Sequence, residues 1–206
     1  MPDWSVIASL ATAAGTLVLA VATFASVRSG RRAARVAERA LLAGTQPILA
    51  PSRVQDPDAK IMFVEGHWVV VPGGRAVVEA TPEVLYLAIS VRNVGPGLAV
   101  LHSWSPNTAI DAPHAKPSAF HRQTRDLYVP SGEPGFWQGA LRDPTTPEFA
   151  AVAKAIQDKE RFVIDILYGD HEGGQRVISR FILSSHAEQW HAAVGRYWNI
   201  DRPDPR

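Results

Sequence analysis

Trp4 to Val27 is a run of 24 residues that contains no charged side chain, and it limits what the rest of the chain can be. An α-helix rises about 1.5 Å per residue, so this run spans about 36 Å as a helix and can cross a hydrocarbon core of about 30 Å with some tilt. We therefore predict a transmembrane anchor over residues 1–27. An alanine-rich core helix of a soluble protein is the alternative interpretation. The residues expected to anchor the helix are Trp4, Leu10, Gly15, Leu19 and Phe24, with the tryptophan at the membrane interface.

Five arginines follow the uncharged run: Arg28, Arg31, Arg32, Arg35 and Arg39. A secretory signal peptide carries its basic residues before its apolar run, so we expect this anchor to be retained rather than cleaved. Basic residues next to a span favour the cytoplasmic side, which predicts a cytoplasmic location for the residues that follow. Helix-forming residues continue to Gly44, and Pro47 prevents further helix. A juxtamembrane helical stalk is therefore predicted over residues 28–45.

The anchor and stalk also indicate partners. The preferred interpretation of the arginines is that they are topology signals on a solvated face. The alternative is contact with anionic lipid headgroups, at about 1 kcal/mol each near the surface, through Arg28, Arg31, Arg32 and Arg35. Ala11 and Gly15 have the four-residue spacing of small residues that lets two helices approach closely in lipid. Membrane lipid is thus one expected partner, and a protein partner or a second copy bound through the helix is the other.

The charge distribution and the absence of cysteine exclude several classes of function. The chain has 21 basic and 20 acidic side chains; the first 44 residues hold five and two of them, which leaves 16 and 18 for the remainder. A nucleic-acid-binding protein carries its basic excess on the folded domain, so no nucleic-acid partner is predicted. With no cysteine, the chain cannot form a disulfide framework, a thiolate zinc site or a cysteine nucleophile.

From Gln46 onward the hydrophobic pattern changes from helical to alternating, which is typical of a β-sandwich or barrel. We predict one mainly β domain over residues 46–200, an antiparallel sandwich with one or two short added helices, and a loose tail over residues 201–206. The clearest strand is Val84–Asn93, whose alternate residues face one buried side. Residues 105–145 are predicted to be loop-rich. The other predicted strands lie at 47–52, 61–64, 68–71, 98–104, 127–129, 136–137, 161–170 and 175–183.

Two helices are predicted from capping signals. Thr146 and Pro147 fit the N-cap and the first position of a short helix that packs on the sheet. Ser185 to Glu188 has the pattern of a capping box for a last helix. Its apolar residues would repeat at helical spacing: Ala187, Trp190, Val194 and Trp198.

A hairpin is predicted from the segments 161–170 and 175–183. If Glu172 and Gly173 form its two-residue turn, Asp165 falls opposite Arg180. A cross-strand ion pair of this kind contributes well under about 1 kcal/mol when it is exposed.

Three turn motifs carry a resemblance to a known group of proteins: NVGPGLA at 93–99, VPSGE at 129–133 and YGDHEGGQR at 168–176. In this order, between strands, they resemble the immunoglobulin-like β-sandwich domain of uncharacterised bacterial single-pass membrane proteins. The resemblance covers residues 84–184 and implies an immunoglobulin-like fold. No active site is attached to that group, so the resemblance implies no catalytic residues.

Catalytic chemistry has little support in the sequence. The seven histidines do not show the spacing of a helical zinc site, so no catalytic, cofactor-binding or metal-binding residues are predicted. The best polar cluster is Asp170-His171-Glu172, but it falls in the predicted hairpin turn, where such residues are common. The loop 105–126 is locally basic, and a solvated surface is its preferred interpretation.

Two functions of different classes therefore remain. The first is a membrane-anchored interaction or scaffolding module. The second is a membrane-tethered metal-dependent enzyme or ligand-binding domain that uses the 105–126 loop and the 170–172 turn.

Overall fold

The computed structural model describes residues 3–201, apart from the side chains of residues 4, 6 and 11. Strands hold 41% of the residues, which confirms the prediction of a mainly β, antiparallel chain behind an N-terminal apolar helix. The chain divides into two compact units, one up to Ala43 and one from Gly44 onward.

Helix α1 spans Trp4–Thr45, 42 residues without interruption, so the predicted anchor and stalk are one helix. It is long and apolar enough to cross a membrane, and none of its most apolar window is buried. Hydroxyl groups inside the apolar run donate to carbonyls four residues earlier; Thr12 Oγ1 lies 2.9 Å from the Ala8 oxygen and Thr16 Oγ1 lies 2.9 Å from the Thr12 oxygen. These bonds satisfy the hydroxyls within the helix, as a lipid environment requires.

The second unit holds eleven strands, one α-helix and one 3₁₀ turn at Pro117–Ala119 within the described residues. The helix, α2, spans Pro147–Gln157. The strands are β1 Leu49–Pro51, β2 Ala59–Met62, β3 Trp68–Val71, β4 Arg75–Ala80, β5 Leu85–Asn93, β6 Ala99–Asn107, β7 His121–Val129, β8 Pro134–Leu141, β9 Phe162–Gly169, β10 Val177–His186 and β11 Gln189–Asn199.

Nine of these strands form one antiparallel sheet that curls into a half-barrel. Its order is β1-β5-β4-β11-β10-β9-β6-β7, with β8 paired to β5 and with β2 and β3 forming a separate hairpin. The inner face carries the main core, which includes Trp137, Tyr168 and Phe181. Helix α2 buries Phe149 and Val152 in this core. Its start is as predicted, since the Thr146 hydroxyl accepts the Phe149 N–H at 3.2 Å.

Strand β5 is buried on both faces, although its alternation predicts one buried face. Leu87 and Ile89 face the inner core, while Tyr86 and Ala88 face a second core on the outer side. The β2–β3 hairpin builds that second core with Ile61, Phe63, Val69 and Val71. A strand with small or aromatic residues on its second face is covered only if a distant segment packs there, and the strand's own pattern does not reveal that segment.

The prediction of a last helix at residues 185–198 is wrong. Strand β10 continues to His186, Ala187 and Glu188 form a turn with φ values of 47° and 62°, and β11 returns along β10. The ladder shifts register between Arg180 and Phe181, which leaves Gly195 of β11 without a partner in β10. Because this bulge adds one residue, the side chains that pack on the inner core are Trp190, Ala192, Val194 and Tyr197. Three of these residues, Trp190, Val194 and Tyr197, have a spacing of four and then three, which imitates a helix, whereas Trp198 of the predicted stripe packs on a separate cluster with Phe120 and Ile178.

The loop-rich region is shorter than predicted. Strand β6 extends to Asn107 and β7 begins at His121, so the irregular segment of the predicted 105–126 loop is residues 108–120. At the predicted tail, the Asp201 carboxylate accepts the Arg176 main-chain N–H at 2.7 Å and its Nη2 at 2.6 Å. Residues 202–206 lie outside the described residues.

Candidate functional site

The predicted polar cluster at 170–172 does not converge on a site. Asp170 is buried, and its carboxylate accepts the Gly174 N–H at 2.8 Å and the Gln175 Nε2 at 3.1 Å. His171 and Glu172 point outward and are exposed. The Asp170 side chain therefore holds its own hairpin turn. Across residues 3–201, no group of three or more histidine or acidic side chains is placed to hold a metal ion.

The segment 108–120 lies over the outer face of the sheet at a buried ion pair. Arg180 donates from Nε and Nη2 to the two carboxylate oxygens of Asp165, at 2.7 Å each. It also donates from Nη1 to the carbonyls of Ile110 and Ala112, at 2.7 and 2.6 Å. The predicted register is confirmed, since Asp165 is opposite Arg180, but the pair is buried under the loop. Among the described residues, no hydrogen bond or ion pair joins this loop to the 170–172 turn.

The sheet is open between β7 and β8, although these strands are consecutive in the sequence. Strand β7 pairs with β6, strand β8 pairs with β5, and no ladder joins the two across the described part of the chain. Their connecting turn bonds to Asn93 instead, whose N–H donates to the Glu133 oxygen at 3.1 Å and whose carbonyl accepts the Gly132 N–H at 2.8 Å. We call the gap between the two strand edges the β7–β8 cleft.

The β7–β8 cleft has a volume of about 210 Å³ and a mixed lining. Gln123 bridges it, because its Nε2 donates to the Gln138 carbonyl at 2.6 Å. An adjoining hollow of about 320 Å³ shares His121, Ala140 and Arg142 with the cleft and extends to the start of α2. The residues that line the cleft are Trp104, His121, Arg122, Thr124, Gln138, Gly139, Ala140 and Arg142.

Two tryptophans pack at the inner side of the cleft. The rings of Trp104 and Trp137 meet edge to face with centroids 5.2 Å apart, and the His121 ring lies 5.0 Å from Trp104. A Cβ on Gly139 would be 2.7 Å from both indoles, so only glycine fits between them. Trp137 is fully buried, although it falls in the predicted loop-rich region 105–145.

Three buried polar atoms beside the cleft have no hydrogen-bond partner among the described residues. They are the amide oxygens of Gln123 and Gln138 and the indole N–H of Trp137. Gln138 is 2% exposed and Trp137 is 0% exposed, so their side chains are largely out of reach of bulk water. Buried polar atoms are rarely left unpaired, because each one costs about 1–3 kcal/mol. The Gln138 oxygen belongs to a residue that lines the cleft and the Gln123 oxygen to the side chain that bridges it, whereas Trp137 packs in the inner core.

His121 forms an ion pair at the edge of the cleft. Its Nε2 lies 2.6 Å from Oε2 of Glu148, in the first turn of α2. The hydrogen bond to this carboxylate raises the pKa of His121 above its ordinary value of 6.5, against the opposing effect of partial burial. Arg142, on the other side, pairs with Glu65. Both of these cleft side chains are thus held in place.

The contribution of His121 to folding is expected to fall as the pH rises. A histidine whose pKa is raised in the folded state stabilises that state fully below its unfolded-state pKa of about 6.5, and this effect disappears above the folded-state pKa. We expect the stability gap between the wild type and His121→Gln to be larger at about pH 5.5 than at about pH 8.5. Chemical unfolding followed by tryptophan fluorescence measures this gap.

The comparison between the two proteins is needed because burial lowers the pKa of His102, which has the opposite effect on stability. Glu148→Gln is the matched control, since it removes the carboxylate and leaves His121 in place. In the Glu148→Gln background, the stability difference between the proteins with and without His121→Gln should lose most of its pH dependence. A gap that stays constant from about pH 5.5 to 8.5 would show that the pair does not couple to folding.

The predicted anchor and stalk residues lie along α1. Leu10, Gly15, Leu19 and Phe24 are exposed along the helix, and the side chain of Trp4 lies outside the described residues. At about 100° of rotation per residue, the five arginines from Arg28 to Arg39 fall within a sector of about 100°. Gly30, Ala33 and Ala37 lie on the opposite side. In the part of the chain that the structure describes, none of the five guanidinium groups forms an ion pair.

The sequence pattern does not predict the cleft. His121 and Arg122 fall within the segment 105–126, which was predicted to be a locally basic loop. The detectable signal was the short VPSGE turn between two strands, which normally indicates a paired hairpin. Comparison with known families, characterised proteins and solved structures finds no match to this chain.

Proposed function

We propose that this chain is a membrane-anchored interaction or scaffolding module with its β domain in the cytoplasm. The observation that carries the proposal is the single helix in which 24 uncharged residues lead directly into five arginines on one face, from Arg28 to Arg39. We call these five residues the arginine stripe; none of them forms an ion pair within the described residues. The relationship to immunoglobulin-like membrane proteins is part of the proposal, supported by the three turn motifs and the antiparallel strands.

The position of the five arginines on one face of a helix supports contact with anionic headgroups more strongly than their number alone does. Spread around a helix, five guanidinium groups could not reach one surface together, whereas on one face they can. Each adds about 1 kcal/mol of attraction near an anionic leaflet. The same charges favour retention of the stalk on the cytoplasmic side.

The test uses the full chain with a C-terminal reporter in bacterial cells. We expect the wild type to stay in the membrane fraction after alkaline carbonate extraction, with its reporter in the cytoplasm. Replacing Arg28, Arg31, Arg32 and Arg35 with glutamine should move part of the reporter outside and lower the amount of anionic phospholipid that co-purifies. Replacing the same four with lysine is the matched control and should preserve both results, because the charge remains.

Recovery of the full chain from the aqueous fraction without detergent would overturn the proposal. A glutamine variant that keeps both orientation and bound lipid would remove the role of the arginines. The alternative function has two parts. For a metal-dependent enzyme, no group of three or more histidine or acidic side chains among the described residues is placed to hold a metal ion. Ligand binding by residues 121–126 does have a specific observation in its favour, namely the β7–β8 cleft.

A further inference from the structure

We propose that the β7–β8 cleft binds an extended peptide segment that carries an acidic side chain, by adding it as a strand between the two open edges. This inference rests on the proposed function, since it identifies where an interaction module would hold its partner. The cleft lies wholly within the β domain, so it does not depend on the placement of the helix.

The main-chain groups at the β8 edge point into the cleft. The Gln138 carbonyl accepts the bridging bond from Gln123, so it points into the cleft and away from β5. In an antiparallel strand the N–H and C=O of one residue point to the same side, and alternate residues repeat that direction. The main-chain groups of Gln138 and Ala140 therefore face the gap. Their carbonyls accept side-chain bonds from Gln123 and Arg142, at 2.6 and 3.3 Å, and an added strand would replace these two bonds. Open edges of this kind are templates for strand addition.

Two buried amide oxygens at the gap have no hydrogen-bond partner within residues 3–201. Gln123 Oε1 lies next to the bridging Nε2, so an acceptor without a partner is in the gap itself. Gln138, which lines the cleft, adds a second buried acceptor in its Oε1. The N–H groups of a peptide backbone can donate to both oxygens, whereas a purely apolar ligand would leave both unpaired, at a cost of about 1–3 kcal/mol each.

The lining of the cleft carries an excess of positive charge. His121 and Arg142 have carboxylate partners in Glu148 and Glu65. Arg122 is exposed and forms no ion pair within residues 3–201. It is therefore the uncompensated cation of the cleft, and it favours a carboxylate on the ligand.

The experiment selects phage-displayed random dodecapeptides on the full chain in nanodiscs of zwitterionic lipid. Empty nanodiscs are used to remove background. We expect the selected peptides to contain Asp or Glu and to bind with an affinity measurable by fluorescence anisotropy. N-methylation of alternate peptide amides should weaken binding about tenfold or more, since it removes the donors of the added strand.

Two variants and one control locate the binding. Arg122→Glu should weaken binding about tenfold, because it replaces the attractive charge with a repulsive one at an exposed position that folding does not require. Thr124→Pro should abolish binding, because Thr124 lines the cleft and proline has no main-chain N–H to donate to an added strand. Arg161→Glu is the matched control, an exposed arginine outside the cleft, and should leave the affinity unchanged.

Three results would overturn the inference: no peptide selected above the empty nanodiscs, equal binding to Arg122→Glu and to the wild type, or equal binding of the N-methylated peptides. Thermal unfolding of each variant shows whether a loss of binding reflects a loss of fold. None of these results affects the carbonate extraction or the reporter orientation. A failure of the cleft is therefore distinguishable from a failure of the membrane assignment.

Discussion

Replacing Asp165 with alanine is expected to lower the free energy of unfolding of the β domain by about 3–5 kcal/mol. The carboxylate is 1% exposed and its partner Arg180 is 4% exposed, so the substitution leaves a guanidinium group buried without its counter-ion. The two remaining bonds of Arg180, to the carbonyls of Ile110 and Ala112, do not neutralise its charge. Urea unfolding of the full chain in detergent, followed by tryptophan fluorescence, measures the loss.

The double variant Asp165→Leu/Arg180→Leu is the matched control for this prediction. Removing both charges removes the cost of burying either one, so most of the stability should return. A residual loss is expected because the carbonyls of Ile110 and Ala112 lose their donor. An Asp165→Ala protein within about 1 kcal/mol of the wild type would mean that water reaches Arg180 and that the loop 108–120 does not seal it.

Replacing Asn93 with alanine is expected to cost a similar amount, about 3–5 kcal/mol, for a different reason. Its side chain is fully buried and bonds only to the main chain. Oδ1 accepts the N–H groups of Ile48 and Gly95 at 3.1 and 3.0 Å, and Nδ2 donates to the oxygens of Gly97 and Val129 at 2.6 and 2.9 Å. Alanine removes the side-chain partner of all four main-chain groups, and the bonds to Gly95, Gly97 and Val129 are buried.

The close packing around Asn93 limits how far the structure can relax. A Cβ on Gly95 would lie 2.5 Å from the Ile48 nitrogen, and one on Gly97 would overlap the Thr45 oxygen. Asn107→Ala is the control, because Asn107 also accepts a main-chain N–H, that of Ala109 at 2.8 Å, but in an exposed bond at the end of β6. It should cost under about 1 kcal/mol. Equal losses in the two variants would show that the Asn93 corner is not a closed site.

The local patterns predicted much of the fold for identifiable reasons. The Asp165–Arg180 register follows from turn length and a period of two, both of which are local. The burial of the same pair does not follow from local patterns, because the loop that covers it comes from residues 108–120, more than 40 positions earlier. The second buried face of β5 was missed for the same reason, since the covering hairpin precedes it in the chain.

The error at β11 shows how a single bulge can mislead a periodicity argument. Because Gly195 is an extra residue, the inward position after Val194 is Tyr197 instead of residue 196, and Trp190, Val194 and Tyr197 then match the spacing of a helix. A capping-box sequence before it, Ser185 to Glu188, strengthened the false signal. The structure uses Ala187 and Glu188 for a tight turn instead, because β10 has an edge that β11 completes.

The β7–β8 cleft lay beyond local reasoning altogether. A short turn between two strands predicts that they pair, and here the turn is held by Asn93 while two indoles pack at Gly139 on the inner side. Asn93 and Trp104 are both distant from β8 in the sequence. The opening therefore exists because of contacts that no window of neighbouring residues contains.

The uncharged helix, its arginine stripe, most strand positions and the start of α2 were all readable from the residues alone, because each depends on interactions within a few positions of the chain. Which edges stay open, which charges are buried and whether the last segment is helix or strand depended on the folded arrangement. Those outcomes come from pairing and packing between segments far apart in sequence, where the energy of a buried contact outweighs local preference.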